Sequence, residues 1–335
     1  MSYQSKKILK NAVYKALSWE PVLSYSRKTR LHNKCVILMY HEVADDSDEI
    51  EAWTVVRRSG FIKQMEYLSR HFNIVSLGEA IHQMANSRDM NRPMAVITFD
   101  DGYAGNKNVL LPIVESMNIP VTVFVSTKAV QEQIVYWYDR LIRALQGNKV
   151  IDINLTHLSL SEYRINRCKG AENWREIERL LRDLKTLKPD AREKAVSSTL
   201  ADLQSSEEQT YHIAPLTIND VHQLADCPLV TIGAHSHCHN ILTQLAADDI
   251  RRSVRMSKDL LETWISRKVD YFAYPNGNYD DLVCNILREE GFKCSLTTVS
   301  RPWEMGEPLF TIPRIGVGRY ESFDHFKAKV SGVFA

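Results

Sequence analysis

The chain has 335 residues, 44% hydrophobic and 25% charged, which is typical of a soluble globular protein with one large domain or two smaller ones. Its formal net charge at pH 7 is +1, so no overall basic field indicates a nucleic-acid partner. Six cysteines without a C-x-x-C pair, the lack of a secretory h-region and the lack of about 18 uninterrupted apolar residues together predict reduced thiols, no transmembrane helix and a cytoplasmic location.

The N-terminal segment, residues 1–34, begins with a predicted basic amphipathic helix. Its apolar residues recur at helical spacing, with lysines between them: Ile8, Leu9, Ala12, Val13, Ala16 and Leu17 alternate with Lys6, Lys7, Lys10 and Lys15. Such a helix can lie on an anionic membrane surface, or it can pack its apolar stripe on the domain that follows. Both interpretations stay open, and under the first one residues 5–18 make a peripheral membrane contact.

From residue 35 onward, short apolar runs alternate with helical segments. The runs are rich in Val, Ile, Phe and Tyr, as buried strands are: residues 35–40, 73–75, 95–99, 121–125, 229–234, 271–274 and 295–298. The helical segments between them cover residues 60–71, 77–85, 108–116, 247–267 and 280–290. Strands that alternate with helices predict an α/β fold with a parallel sheet, and seven or eight such units would form a barrel.

One long stretch, about residues 132–222, interrupts this alternation. It contains charged helical sequence such as NWREIERLLRDLKTLKPDAREKAV and few runs that favour a strand. We therefore predict a helical insertion or a small subdomain between two strands of the barrel.

Three predicted strands end in polar residues that are unusual for packing. Asp100 and Asp101 follow the run AVITF, and two adjacent ionised acids require a compensating positive charge such as a metal ion. His235 and His239 follow VTIGA at a spacing of four residues, so both can face one metal ion while His237 points away. His41 ends the run CVILMY.

Parallel α/β folds carry their chemistry at the carboxyl ends of the strands, so these residues are expected to meet. Two histidines and one aspartate supply three N and O ligands and leave a coordination position open, as catalytic zinc sites do. The remaining carboxylate can act as a base and the remaining histidine as an acid. Together these groups suit metal-assisted hydrolysis of an amide.

These motifs resemble those of the polysaccharide deacetylases, also called the NodB-homology or carbohydrate esterase 4 family. The similarity rests on TFDDG (residues 98–102), HSHCH (235–239) and YFAYPNGNY (271–279), and extends to FIKQMEYLSRHFNIVSL and PRIGV. It covers roughly residues 35–130 and 228–325. The resemblance implies a distorted (β/α)7-type barrel for residues 35–335, a divalent metal, most commonly zinc, and removal of an N-acetyl group from an amino sugar.

Matching the motifs residue by residue implies roles for the site. Asp100 becomes the general base, and Asp101, His235 and His239 become the metal ligands. The late histidine motif of the family is not evident, but LMYHEV resembles the circularly permuted branch, in which an early Tyr-His supplies the acid, here His41. The family's arginine before YFAYP is also missing, and Arg314 in PRIGV is the candidate to provide the positive charge beside Asp100.

Aromatic and proline residues near these motifs are candidates for substrate contacts. They are Tyr103, Tyr274, Pro275 and, in the insertion, Trp137, which either stacks on sugar rings or packs within the helices. The predicted substrate is an acetylated polysaccharide, glycolipid or lipid-linked glycan precursor. An O-acetyl esterase or N-deformylase with the same metal site and a catalytically inactive carbohydrate-binding protein remain as alternatives.

Overall fold

The computed structural model describes residues 13–48, 52–86, 92–145, 150–166, 170–203 and 213–334. The chain divides into two compact units. The first comprises Met1–Asp48, Trp53–Gln133 and Pro215–Ala335, and the second comprises Glu49–Ala52 and Ile134–Ala214. The second unit therefore coincides with most of the insertion predicted at about 132–222.

Strands and helices alternate along most of the described residues. The strands are β1 (Lys34–Tyr40), β2 (Glu42–Ala44), β3 (Val55–Arg57), β4 (Asn73–Ile74), β5 (Met94–Phe99), β6 (Val121–Val125), β7 (Val150–Asn154), β8 (Glu162–Asn166), β9 (Val230–Ala234), β10 (Tyr271–Ala273), β11 (Cys294–Leu296), β12 (Trp303–Glu304) and β13 (Ile315–Gly316). The helices are α1 (Glu20–Arg30), α2 (Arg58–His71), α3 (Leu77–Asn86), α4 (Leu111–Met117), α5 (Thr127–Glu132), α6 (Trp137–Ala144), α7 (Gly170–Leu184), α8 (Pro189–Asp202), α9 (Ile218–Asp226), α10 (Ala247–Ile265), α11 (Asp281–Glu289) and α12 (Phe323–Val330).

The first unit is built on a parallel sheet that curls into a distorted barrel. Its strands follow the order β11-β10-β9-β6-β5-β1, and β13 pairs with β1. The chain just before β13 also reaches β11, because Ile312 forms a parallel bridge with Leu296. Residues 312–316 therefore connect the two ends of the sheet, as the predicted (β/α)7-type barrel requires.

The alternation of side chains along each strand creates two hydrophobic layers. One layer lies inside the barrel and contains Ile37, Val96 and Phe124, together with Leu77 and Met84 from α3. The other layer lies between the strands and the outer helices and contains the residues of opposite parity, such as Leu38, Ile97 and Val123 in the neighbouring positions. The same alternation determines which residues at the strand ends face the barrel interior.

Local sequence signals account for several helix boundaries. Helix α9 begins with a capping box, in which the Thr217 hydroxyl accepts from the Asp220 N–H and the Asp220 carboxylate accepts from the Thr217 N–H. The helix predicted at 108–116 instead starts with a π-helical turn, Asn106–Leu110, before α4. Pro112 explains this change, because it has no N–H to continue the α-helical ladder.

The second unit contains more strand than its charged sequence predicted. Strands β7 and β8 form an antiparallel hairpin with Val150 opposite Asn166 and Asn154 opposite Glu162. Both strands alternate buried and exposed residues, which is the period of a half-buried strand. The predicted helical insertion therefore also contains a β-hairpin, which was not predicted because its alternation lies among highly charged helical segments.

The N-terminal segment lies in the described part of the chain only from residue 13 onward, and residues 13–17 are helical. The Tyr14 ring stacks on His325 with centroids 4.1 Å apart, and the Ser18 hydroxyl donates to Asp324 at 2.8 Å. Leu17 packs against the outer hydrophobic layer. This end of the segment thus packs on α12, whereas residues 1–12 lie outside the described residues. Among those described, no helix has the length and apolar composition that a bilayer span requires.

Candidate active site

The three predicted site strands end at the same rim of the barrel. His41 follows β1, Asp100 follows β5 and His235 follows β9, and these strands are parallel members of one sheet. Side chains two residues apart on a strand point to the same face. His41, Asp100 and His235 each lie two residues after an inward-facing position of their strand, namely Met39, Thr98 and Gly233. All three residues therefore lie at the carboxyl ends of parallel strands, where this class of fold commonly carries its active site.

Asp101 has the opposite parity and reaches the site through a turn. Its backbone has φ of 76°, and that of Gly102 has φ of 78°, so two consecutive residues adopt the left-handed conformation. Aspartate tolerates this conformation better than most residues, and glycine adopts it without steric cost. A Cβ atom on Gly102 would also lie 3.1 Å from the Val125 side chain. The turn thus redirects the Asp101 carboxylate towards the histidines.

The structure brings Asp101, His235 and His239 together. Asp101 Oδ1 lies 3.3 Å from His235 Nε2 and 3.0 Å from His239 Nε2, and the three ligand atoms all lie within 4.8 Å of one another. Zinc bonds of about 2.0–2.1 Å place the ligand atoms of a tetrahedron about 3.3 Å apart, so the spacing of Asp101 from each histidine fits a metal of this size.

A second contact fixes the tautomer of His235. Its Nδ1 lies 2.7 Å from the carbonyl oxygen of Ala273, and since a carbonyl only accepts, Nδ1 carries the hydrogen. If the ring is neutral, Nε2 carries a lone pair that points at Asp101. Two hydrogen-bond acceptors, His235 Nε2 and Asp101 Oδ1, then face each other at 3.3 Å. This arrangement needs a cation, either a proton on Nε2 or a metal ion. The donor set N, N, O and the backbone contact behind His235 both suit a divalent metal such as zinc.

The charges of the site stabilise its ionised groups. Burial opposes ionisation of Asp101, but His239 and His235 hold the pKa of its carboxyl well below its usual range. Burial also disfavours the charged form of His235, yet the carboxylates of Asp100 and Asp101 raise its pKa overall. The carboxylate of Asp101 is therefore available as a ligand at neutral pH.

Asp100 forms a buried, bidentate ion pair with Arg314. Both guanidinium nitrogens, Nη1 and Nη2, donate to the two carboxylate oxygens at 2.7 Å. The same guanidinium group donates to the Thr98 hydroxyl and to the Thr297 carbonyl, and Arg314 is 0% exposed. Although burial opposes it, this pair lowers the pKa of Asp100, so the carboxylate is ionised and fixed in orientation.

His41 lies at the same rim with one nitrogen unsatisfied. Its Nδ1 is buried and has no hydrogen-bond partner within the part of the chain that the structure describes. Its backbone carbonyl accepts from the Asn106 side chain at 2.9 Å, which ties the His41 turn to the loop after Asp101. Burial lowers the pKa of His41, against the opposing influence of Asp101 and Asp100. Its imidazole ring also meets the indole of Trp53 in a T-shaped contact, with centroids 5.1 Å apart.

Other predicted residues lie in different environments. His237 is directed away from the three ligand atoms, and its Nδ1 lies 2.9 Å from the Thr127 hydroxyl. Tyr274 is fully buried, and its hydroxyl contacts Ser295, Phe310 and Cys284. This is a core position, so the Tyr274 side chain is not available to a substrate in this structure.

Tyr103, Pro275 and Trp137 complete the predicted substrate contacts. Tyr103 is 1% exposed and pairs with Pro215 through a backbone bridge, and Pro275 is buried at the start of a 3-10 turn. Trp137 is half-buried in the second unit, with the Arg192 guanidinium 5.1 Å from its ring centroid. Burial of Tyr103 and Pro275 makes them wall and core residues rather than exposed stacking platforms.

Three residues that shape the site were not predicted from the sequence. Asn106, in the stretch GYAGN, and Glu42, directly after His41, connect the turns on which His41 and Asp101 lie. Trp53 reaches the site from a loop that follows β2, and no motif marked it. The carbonyl of Ala273 is a backbone group, so no residue type could have indicated it.

Several solved structures to which this chain is similar are described as deacetylases. The Streptococcus pyogenes deacetylase PplD, described in complex with acetate, is 17% identical, with a TM-score of 0.59 over 89% of this chain and 98% of that one. IcaB from Ammonifex degensii is 15% identical, with a TM-score of 0.57 over 90% and 98%. A de-N-acetylase from Aggregatibacter actinomycetemcomitans is 16% identical, with a TM-score of 0.56 over 88% and 99%. At these identities the similarity establishes the fold.

The fold is thus the NodB-like barrel that the sequence predicted. None of the curated proteins matches the chain. The polysaccharide deacetylase family matches it over residues 87–295, and the chain belongs to that family. The prediction of a deacetylase enzyme is therefore confirmed at the level of the family.

The site predicts which histidines hold a metal. Replacing His235 or His239 by alanine removes a ligand atom, and we expect the zinc content after dialysis to fall to a small fraction of that of the unmodified protein. The loss of affinity should exceed the about 10–100-fold that removal of an outer partner costs. Elemental analysis by mass spectrometry measures the bound metal per chain.

His237→Ala is the matched control, because its ring contacts Thr127 instead of Asp101. It should retain the metal content of the unmodified protein. Equal metal content in the His235→Ala/His239→Ala double variant would rule out this site.

Proposed function

We propose that this chain is a metal-dependent N-deacetylase that removes the acetyl group from an amino sugar in a polysaccharide, glycolipid or lipid-linked glycan precursor. The observation that carries the proposal is the ionised Asp100–Arg314 pair beside three ligand atoms of Asp101, His235 and His239. A site that only binds needs no ionised carboxylate beside its ligands. The description of the Aggregatibacter relative as a de-N-acetylase, and of PplD with acetate, supports this reaction.

Asp101, His235 and His239 would hold the metal, and their N, N, O donor set favours zinc. When bound, such an ion acts as a Lewis acid on the acyl carbonyl and lowers the pKa of water. Asp100 takes the proton from the attacking water. Arg314 donates one hydrogen bond to each carboxylate oxygen of Asp100, so each oxygen keeps a second lone pair that can accept the proton.

His41 then supplies the proton that the leaving nitrogen needs. Collapse of the tetrahedral intermediate breaks the C–N bond, and an unprotonated amine is a poor leaving group. Burial lowers the pKa of His41, which makes its protonated form a stronger acid but reduces the fraction protonated at neutral pH. The products are acetate and the free amino sugar, and the water supplies both the new hydroxyl and one proton.

Related functions use the same groups. An O-acetyl esterase would need Asp100 but less help from His41, because an alkoxide leaves more easily than an amine anion. An N-deformylase would require a narrower acyl pocket, and an inactive carbohydrate-binding protein would release no acid at all. Acetate release and the mass of the product separate these alternatives from N-deacetylation.

Asp100→Asn tests the base and the reaction together. An amide cannot accept the proton, so we expect activity to fall about 10²–10⁴-fold while the metal stays bound. Asparagine keeps one oxygen for Arg314, which limits damage to the buried pair. The measurement is mass spectrometry of an acetylated amino-sugar oligomer, in which the zinc-loaded unmodified protein removes acetyl units and the variant does not.

Glu79→Gln provides a control for the same chemical change on the exposed face of α3. It should deacetylate at the rate of the unmodified protein. Turnover near normal in Asp100→Asn would exclude Asp100 as the base, whereas the lack of any acetyl loss with unmodified protein would reject the proposed reaction.

His41→Ala tests the acid by comparing two leaving groups. We expect a strong loss on the N-acetyl sugar, about 10²–10⁴-fold, because its amine must be protonated. Activated aryl acetates should lose far less, since their phenolate needs no proton to leave. The measured quantity is the ratio of kcat/KM for the two substrates at constant metal content. An equal loss on both substrates would remove His41 from the acid role and indicate damaged structure.

Attachment to an anionic membrane surface would bring such an enzyme to a lipid-linked substrate. Residues 1–30 contain seven lysines and arginines and one acidic residue, although the whole chain carries a net charge of only +1. Trp19 and Tyr25 are 66% and 72% exposed, and such amphipathic rings favour the membrane–water interface. We propose a cytoplasmic, membrane-peripheral location, and the basic segment and the two exposed rings support the membrane contact.

Charge reversal tests this attachment without removing the packed residues Tyr14 and Leu17. Each lysine near an anionic surface contributes about 1 kcal/mol, so Lys6→Glu/Lys10→Glu should weaken vesicle binding by more than about tenfold. Sedimentation with vesicles containing phosphatidylglycerol measures the bound fraction. The control Lys194→Glu/Lys268→Glu makes the same charge change at two exposed positions elsewhere. Equal sedimentation of all three proteins would leave the segment with a structural role only.

A further inference from the structure

Trp53 stands beside the candidate acid and has no role in the steps above. Its indole meets the His41 imidazole at an interplanar angle of 73°, with ring centroids 5.1 Å apart. The side chain is half-buried, whereas its neighbours Thr54, Val55 and Val56 are buried. A large aromatic surface is therefore partly accessible immediately next to His41.

The backbone holds Trp53 in this position from two sides. Its carbonyl accepts from the N–H of Arg319 at 3.1 Å, in the loop that follows β13. The carbonyl of the next residue, Thr54, accepts from the N–H of Glu42 at 3.2 Å, and Glu42 directly follows His41. The parallel pairing of β2 with β3 continues this connection, since Glu42 lies opposite Val55. These contacts hold the backbone of Trp53 next to that of His41, and a backbone that is ordered before a ligand binds reduces the entropy lost on binding.

The position of the acid determines where the sugar ring must lie. A general acid donates within hydrogen-bond distance, about 2.6–3.2 Å, of the leaving nitrogen. That nitrogen is bonded directly to a carbon of the pyranose ring, so the ring occupies the space next to His41, on the opposite side of the scissile bond from the acyl group. Sugar rings present apolar C–H faces, and binding sites commonly pack aromatic side chains against apolar ligand surfaces.

We propose that Trp53 is a substrate-binding residue that packs against the ring of the amino sugar whose nitrogen His41 protonates. This inference rests on the proposed function and deepens it, because it assigns the sugar side of the site to a residue outside the matched motifs. Trp53 then contributes to recognition of the sugar and not of the acyl group. A substrate with an acyl group and no sugar does not use this contact.

Binding to an inactive enzyme tests the contact directly. The Asp100→Asn protein, loaded with zinc, is titrated by calorimetry with a tetramer of β-1,4-linked N-acetylglucosamine. Adding Trp53→Ala should raise the Kd about five- to tenfold, the range expected for loss of one aromatic packing contact. Trp53→Phe keeps an aromatic face and should recover part of the affinity. Trp19→Ala, which removes an exposed tryptophan at the start of α1, is the matched control and should leave the Kd unaffected.

Kinetics with Asp100 intact separate sugar binding from other roles. For Trp53→Ala, KM for the tetramer should rise about five- to tenfold with little change in kcat, so the ratio of kcat/KM for the tetramer to that for p-nitrophenyl acetate should fall by the same factor. A lower kcat with Kd and KM maintained would mean that Trp53 only positions His41, and would overturn the proposal. An equal loss on both substrates would also overturn it.

The failure of the two proposals can be told apart. If Asp100→Asn binds no acetylated amino sugar, the proposed substrate class is wrong. If it binds the tetramer with the same Kd whether or not Trp53 is present, only the role of Trp53 is wrong.

Discussion

The buried ion pair between Asp100 and Arg314 links the fold of the barrel to its chemistry. Arg314 lies in residues 312–316, which close the sheet between β11 and β1, and its guanidinium group reaches β5 through Thr98 and Asp100. It also donates to the Thr297 carbonyl just after β11. Breaking a buried pair by removing one partner costs about 3–5 kcal/mol, because the other charge is left uncompensated. The segment 312–316 that closes the barrel therefore needs Asp100 to compensate the charge of Arg314, and Asp100 needs Arg314 to remain ionised.

Backbone turns direct into the site those side chains that would point away from it if the strands simply continued. Strict alternation would send Asp101 to the outer face of the barrel, and the left-handed backbone at Asp101 and Gly102 reverses this direction. The second motif uses the same device, with positive φ at Ser236 and His239. Non-glycine residues in this conformation carry a cost of order 1–3 kcal/mol each, which the surrounding structure must offset. Backbone strain thus coincides with the residues that form the candidate metal site.

Much of the barrel could be predicted from the sequence because its strands are apolar runs of the right length. The run at 121–125 and β6 have the same bounds, and the strand-end rule found His41, Asp100 and His235 without any contact information. The hairpin of β7 and β8 was missed because its alternation lies in a highly charged region. Tyr274 was predicted at the substrate side, since the sequence does not reveal that its hydroxyl finds partners in Ser295 and Phe310. Long-range contacts such as that of Trp53 with His41 depend on loop packing, which no local pattern encodes.

Separate positive partners explain why two adjacent acids can both remain ionised. Two carboxylates that share one site normally raise the pKa of one of them. Here burial also acts against ionisation, yet the pKa of Asp100 is lowered by Arg314 and the pKa of Asp101 by the two histidines. The left-handed turn at Asp101 and Gly102 makes this possible, because it directs the Asp101 carboxylate to the histidines while the Asp100 carboxylate pairs with Arg314. Asp100 meets a permanent charge from the protein, whereas Asp101 meets imidazoles whose Nε2 atoms lie at the spacing of metal ligands. In the sequence Asp-Asp-Gly, the first carboxylate is thereby the candidate base and the second the candidate metal ligand. The glycine contributes to the turn that points them at different partners.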